Sequence, residues 1–353
     1  MSTEEPPPPY GAQEYWEKRY EGGDNAFHAW YFTYDELRPL ILPLILGGRQ
    51  EAREVIEGSE QPSDTERDGD EESVVEEVAP TGADPGRSPP SANGDAESEV
   101  DEPIVDEEEE DDESEDEEEG SAERDGLAKD GPISVLEVGC GDVPLGAALA
   151  VELNELEYST GQSVASVVKD IICTDYSQVV VDAMRKEFAP MPSKESKAKA
   201  AKTVINVGKA PLRFEVADAR KLPYDKDSIH LILEKGTLDA MLSDKEEGIA
   251  NCIQIVAECA RVLSPSGYLL IASHLNAHTQ RGMDWLEDVV FQGLRMVSHN
   301  WVIEVHGNDE IVEDEDDERG PQGSAGPAVY ILQKLPGPVD PSRTTIPVKF
   351  YSY

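Results

Sequence analysis

The chain has 353 residues, with 30 lysines and arginines against 75 aspartates and glutamates, a formal net charge of −45. Such an acidic surface excludes nucleic acid as the main ligand, because phosphate contacts need Lys and Arg and the long-range field repels a polyanion. It suits a basic protein partner instead. The four cysteines (Cys140, Cys173, Cys252, Cys259) form no C-x-x-C pair, so neither a metal site nor a disulfide framework is expected, and a reducing compartment is the default. The opening Met-Ser-Thr-Glu-Glu-Pro lacks an apolar or Arg-rich leader. No apolar run reaches the roughly 18 residues of a membrane span. A cytoplasmic protein with no membrane partner is expected.

The charge is uneven. Glu51–Asp130 holds 34 acidic and 5 basic residues, and what remains is the size of one α/β domain. Residues 1–9 read as a disordered Pro-rich lead. Residues 10–47 concentrate aromatics: Tyr10, Tyr15, Trp16, Tyr20, Phe27, Trp30, Tyr31, Phe32 and Tyr34. From Tyr34 to Leu46 the apolar Leu37, Leu40, Ile41, Leu44 and Ile45 recur at helical spacing, with Pro39 and Pro43 making the helix irregular. Residues 48–131 read as a disordered acidic insertion that buries too little apolar surface to offset its ordering entropy.

Residues 132–335 alternate strand and helix. Strands are expected at 133–138, 170–174, 212–217, 228–233 and 268–273, and a closing pair at 301–305 and 329–333. Helices are expected at 144–156, 177–188 and 251–263. A Lys-rich loop spans 190–210, a turn 264–267 and an acidic loop 309–319; 336–353 is a tail. This alternation implies a mostly parallel sheet with helices on both faces.

The strongest local signal is Val135-Leu-Glu-Val-Gly-Cys-Gly-Asp142, a strand running into Gly-x-Gly and then a helix. Gly139 and Gly141 let the backbone approach a ligand at the strand's carboxyl end. A dinucleotide fingerprint would want a third glycine at position 144, where the chain has Pro144. The alternative is a tight turn without a ligand. Asp175 follows the second strand, where its carboxylate can accept from ribose hydroxyls; otherwise it is a turn residue. It lies beyond the usual spacing of roughly 20 residues, and Glu157–Ser166 is expected to supply the excess as a loop. Asp218 ends the third strand, where it can accept from an adenine amino group while Ala219 N–H donates to the ring; the alternative is a helix N-cap. Glu234-Lys-Gly-Thr-Leu-Asp239 closes the fourth strand. Ligands of open α/β sheets bind at such strand ends, and here four successive strands supply candidates.

Three segments resemble one family: Glu14-Tyr-Trp-Glu-Lys-Arg-Tyr20 with Ala29-Trp-Tyr-Phe-Thr-Tyr34, Leu136-Glu-Val-Gly-Cys-Gly141, and Leu233-Glu-Lys-Gly-Thr-Leu-Asp-Ala240. They resemble the seven-strand methyltransferases that include the elongation factor 1A and citrate synthase lysine methyltransferases. The resemblance implies the class I, Rossmann-like fold with an antiparallel last strand, and S-adenosylmethionine (SAM) as cofactor. It also implies that Trp16, Tyr20 and Trp30 close over that cofactor, although they could merely pack a helix on the sheet. Gly139, Asp175, Tyr176, Asp218, Ala219 and Lys235 are the cofactor contacts it implies. Two departures stand out: Asp142-Val143 replaces the family's Asn-Ser, and Glu234 a common Asp. Glu234 and Asp239 are the candidates for steering a lysine amine, with elongation factor 1A or another lysine-bearing protein as partner. Small-molecule methylation, or a non-catalytic acidic binding protein on the same fold, are the alternatives.

Overall fold

The computed structural model describes residues 8–22, 30–47, 126–161, 163–188, 211–309, 325–339 and 345–352. The expected lead up to residue 7, Phe27, the acidic insertion up to residue 125, the Lys-rich stretch 190–210 and the acidic loop beyond residue 309 lie outside them. Chain contacts divide the protein into one unit of residues 1–59 and 121–353 and a second of residues 60–120, and the second lies wholly outside the described residues. Among the described residues no helix is long and apolar enough to cross a membrane.

Ile133-Ser-Val-Leu-Glu-Val138 is buried along its whole length, which is what a central parallel strand requires. This strand, β1 (Ile133–Val138), pairs in parallel with β2 (Val168–Asp175) on one side and β4 (Ile229–Lys235) on the other. β3 (Leu212–Val216) lies beyond β2, and β5 (Leu263–Ser273) beyond β4, again in parallel. β6 (Trp301–Gly307) and β7 (Ala328–Lys334) pair antiparallel, and β7 joins them to β5. An eighth strand, β8 (Val348–Tyr351), runs parallel to β6 in what the sequence suggests is a tail. The order is β3-β2-β1-β4-β5-β7-β6-β8. The expected turn at 264–267 lies inside β5 as an irregularity in its register with β4, with Ser266 at φ 67°.

The strands' period of two sorts their side chains onto two cores. Val135, Leu231, Leu233, Leu270 and Ile331 face α2 (Tyr34–Leu46), α3 (Leu145–Thr160) and α4 (Val164–Val167). Leu136, Val138, Ile232, Leu269 and Tyr330 face α7 (Gly248–Val262) and a continuous helix made of α8 (Gln280–Trp285), a π-helical turn (Leu286–Phe291) and α9 (Gln292–Arg295). α5 (Gln178–Glu187) covers β2 and β3, and two further short helices, α1 (Gln13–Glu21) and α6 (Thr237–Met241), border the site described below. The long spacing from Gly139 to Asp175 comes from α3 running on to Thr160 and from α4, not from a loop. α2 keeps its course through Pro39 and Pro43. A capping box (Thr33 and Glu36) starts it, and Leu37, Ile41, Leu44 and Ile45 are fully buried.

Lys334 is fully buried on β7. Its ammonium donates to Asp227 Oδ1 (2.6 Å) and to the carbonyls of Ala260 (3.0 Å) and Leu263 (2.5 Å). A cation thus sits at the carboxyl end of α7, where the helix dipole favours it.

Residues 126–131, expected within the insertion, belong to the domain. Leu127–Asp130 forms a 3-10 turn whose Leu127 packs on the α2 core. A Cβ at Gly126 would lie 2.1 Å from the backbone nitrogen of Gly47, so the two ends of the acidic insertion meet backbone to backbone. Replacing residues 48–125 by a short Gly-Ser linker therefore leaves the fold intact. Closing a shorter loop raises stability by about 2 kcal/mol at most, and loss of the acidic charge relieves self-repulsion. Thermal melts of both proteins check this; a deletion variant that fails to fold would show that the segment is a structural part of the domain.

Candidate functional site

Gly139 and Gly141 follow β1 at φ 63° and 56°, a region that side chains rarely adopt. A Cβ at Gly139 would lie 1.9 Å from Thr237 Oγ1. That hydroxyl donates to the Val138 carbonyl (3.2 Å), tying the end of β1 to α6. Glu137, one residue earlier and buried, turns back under the loop. Its Oε1 accepts from Leu145 N–H and its Oε2 from Gly146 N–H, both at 2.8 Å. The carboxylate thus caps α3 from inside the sheet. Burial pushes it above the usual carboxylate range, against the pull of those N–H groups and of Lys235. Pro144 has no N–H to offer. The start of α3 is therefore satisfied internally and is closed to a phosphate, which would otherwise bind there.

Glu234 repeats the device on β4. Its Oε1 accepts from Thr237 N–H (2.6 Å) and Leu238 N–H (3.0 Å), capping α6, while Oε2 is buried without a partner among the described residues. Burial first, then the Asp239 charge, push Glu234 up to about 8. Between these two acids Lys235 is buried with its ammonium held below its ordinary range by desolvation, against the attraction of Glu137, Glu234 and Asp142.

The loop after β1, the ends of β2, β3 and β4, and the N-terminal aromatics enclose one cavity. All ten expected cofactor residues line it: Trp16, Tyr20, Trp30, Gly139, Gly141, Asp175, Tyr176, Asp218, Ala219 and Lys235. Asp175 accepts from Gly141 N–H (3.1 Å) and Ser177 N–H (2.9 Å); burial pushes it up to about 6 against those bonds. Asp218 is not a helix cap. Burial would raise its pKa, but the Arg220 guanidinium, which it binds through both oxygens, holds it below the usual range.

The aromatic wall is tethered to the sheet's loops at its start, before and within the first turn of α1. Gln13 donates to the Tyr176 carbonyl (2.8 Å), and Gly11 N–H to Ser243 Oγ (2.9 Å). Trp16 stacks on Tyr20 with centroids 5.8 Å apart. Trp30 fits over Gly236, where a Cβ would lie 2.9 Å from its ring. These rings pack on one another and line the cavity at once.

The two expected catalytic acids do not line it. Glu234 caps α6 through Oε1 and so positions that helix. Asp239 is buried beside Ser273 and His274 at the end of β5. Sequence reasoning gave no role to Glu137, Thr237, Tyr31, Ser273 or His274. The rule that strand ends carry the site, applied to the fifth strand as to the first four, would have found the last two.

Residues 136–271 match the methyltransferase-domain family. With the strand order and the closing antiparallel pair, that decides the class. Over those residues the chain carries a domain similar to the methyltransferases, on the class I fold. It is similar to the EEF1A lysine methyltransferase 4 of Bos taurus, 33% identical over 31% of this chain and 38% of that protein. The mouse protein of the same name is 30% identical over 43% of this chain and 52% of its own length. The mitochondrial citrate synthase-lysine N-methyltransferase of Danio rerio is 30% identical over 50% and 59%. The chain thus spans from about two fifths to three fifths of the length of these relatives.

The methyltransferase domain's buried acids make a pH prediction. Glu137, Asp175 and Glu234 all hold protons more tightly folded than unfolded. Their contribution to stability is present at acid pH and lost as pH rises through about 6 for Asp175 and about 8 for Glu234. The melting temperature of the ligand-free protein accordingly falls from pH 6 to pH 9. Glu234→Gln, whose amide keeps the capping oxygen, flattens the upper part of that fall and is the more stable protein at pH 9. Parallel melting curves for the two proteins would contradict the shift.

Proposed function

We propose that this protein is a protein-lysine N-methyltransferase acting on elongation factor 1A. The observation that carries the proposal is the chemistry of the cavity beside its charge. Gly139, Gly141 and Gly236 at positive φ, a ring-lined wall, the carboxylates of Asp142, Asp175 and Asp218 and the ammonium of Lys235 suit a nucleoside bearing an amino acid, and the capped start of α3 leaves no phosphate seat. The names of the similar proteins support the substrate class, and the net charge of −45 supports a basic protein over nucleic acid. The four cysteines, all free, support work in the reducing cytoplasm.

In this reading Asp175 accepts from the ribose and Lys235 pairs with the cofactor's carboxylate. The backbone at Asp218 and Ala219 meets the adenine, while Trp16, Tyr20 and Trp30 exclude water from the reacting centre. The bound cofactor supplies an activated methyl on a sulfonium. What remains for the chain is to hold the lysine in line and dispose of its proton. Asp239, with Oδ2 buried and unpartnered among the described residues, stands on the substrate side.

Two outcomes follow. Incubation with labelled SAM and unmethylated recombinant elongation factor 1A places label on a lysine, read by mass spectrometry. Asp239→Asn retains SAM affinity in calorimetry while transfer falls by about 100-fold. Lost SAM affinity in this variant would move Asp239 to the cofactor side, and normal turnover would remove it from the reaction.

A further inference from the structure

The end of β5 carries a group that no part of the cofactor cavity uses. Ser273 donates through its hydroxyl to Asp239 Oδ1 (2.8 Å), and Leu275 N–H donates to Ser273 Oγ (3.0 Å). His274 Nδ1 bonds the same Asp239 oxygen. The Tyr31 ring lies against the imidazole, centroids 5.7 Å apart, with its hydroxyl 3.3 Å from Nδ1. Tyr31 holds a φ of 56°, rare for a side-chain-bearing residue, directly after the Trp30 that lines the cavity. The carboxylate is sealed, with 2% of its side chain exposed, whereas the imidazole is 39% exposed. A buried carboxylate bonded to one nitrogen of a solvent-facing imidazole is an arrangement that fixes the tautomer: Nδ1 keeps its hydrogen, and Nε2 presents a lone pair outward. Nε2 has no hydrogen-bond partner among the described residues.

We propose that His274 is the proton acceptor for the incoming lysine and that Asp239 is its positioning residue. The inference rests on the protein-lysine reading and deepens it. An N–H bond of the substrate ammonium breaks and its proton passes to Nε2. The freed lone pair forms the N–C bond to the methyl, and the C–S bond breaks with its electron pair going to sulfur. The imidazolium then gives the proton to solvent, one proton for each methyl transferred. The titratable groups facing the ring are Asp239 of α6 and Tyr31 of the segment before α2. Glu234 feels the charge on Asp239 and acts on Tyr31, and burial, with Asp239 and then Glu234, raises the Tyr31 hydroxyl so that it stays protonated.

The test uses the full chain with His274→Gln and His274→Ala, labelled SAM and unmethylated elongation factor 1A. At pH 7 transfer falls about 100-fold in both, while SAM affinity stays within about twofold, which also reports that the fold and cavity persist. At pH 9.5 free lysine amine is far more abundant, its ordinary pKa being about 10.4, and the deficit shrinks to less than about tenfold. Asp239→Asn shows the same recovery with pH, because it acts through the imidazole. Wild-type rates at pH 7, or a deficit that does not change with pH, would overturn the role of His274 alone. A wild-type protein that labels no lysine would overturn the protein-lysine reading and this inference together.

Discussion

The carboxylate of Glu137, buried in the central strand and bonded to Leu145 and Gly146 N–H, sets the terms for everything around it. An acid inside a parallel sheet is costly unless its oxygens are satisfied. Here two N–H groups that α3 cannot satisfy for itself do so, and one bond pair removes two liabilities. Its geometric effect is larger than its energy. It draws the start of α3 down onto β1, so that the five residues between Val138 and Pro144 must bulge upward, and only glycine tolerates the backbone at 139 and 141. It also decides the ligand class. A dinucleotide site offers these N–H groups to a pyrophosphate; this one has already used them.

The second acid, Glu234, applies the same solution one strand away, and the two together explain Lys235. Burial holds its ammonium below the ordinary range, and the attraction of Glu137, Glu234 and Asp142 opposes that shift. Its attraction in turn eases the burial of the acids. The cavity thus sets one cation, Lys235, among the carboxylates of Asp142, Asp175 and Asp218. The aromatic wall then excludes water, which strengthens those charges toward a bound ligand.

Much of this was legible in the sequence, for a physical reason. Buried parallel strands read as short continuous apolar runs, and β1 was found to the residue. Strand-end chemistry follows from topology, so Gly139, Gly141, Asp175, Asp218 and Ala219 could be expected at one place; the family resemblance added Trp16, Tyr20, Trp30, Tyr176 and Lys235, and all ten residues line the cavity. What stayed hidden depended on contacts between residues far apart in the chain. Glu137 looks like an ordinary alternation of polarity until α3 comes back over it. The helix from Gln280 to Arg295 is absent from the sequence expectations, and it carries Gly282 and Gly293. In the fold they mark close packing, since a Cβ would lie 2.0 Å from the Asn276 carbonyl oxygen in one case and 2.6 Å from Val256 in the other. β8 is four residues that acquire meaning only against the free edge of β6. His274 follows an apolar strand and shows its use only when Asp239 arrives from α6.

The central claim is that a self-capped α3 and a ring-walled cavity make this a site for an adenosyl amino acid and not for a dinucleotide. Calorimetric titration of the ligand-free protein with S-adenosylhomocysteine and, separately, with NAD tests it most directly. The account predicts one binding event per chain for S-adenosylhomocysteine, competed by SAM, and no heat with NAD. Saturable NAD binding without a response to S-adenosylhomocysteine would contradict it.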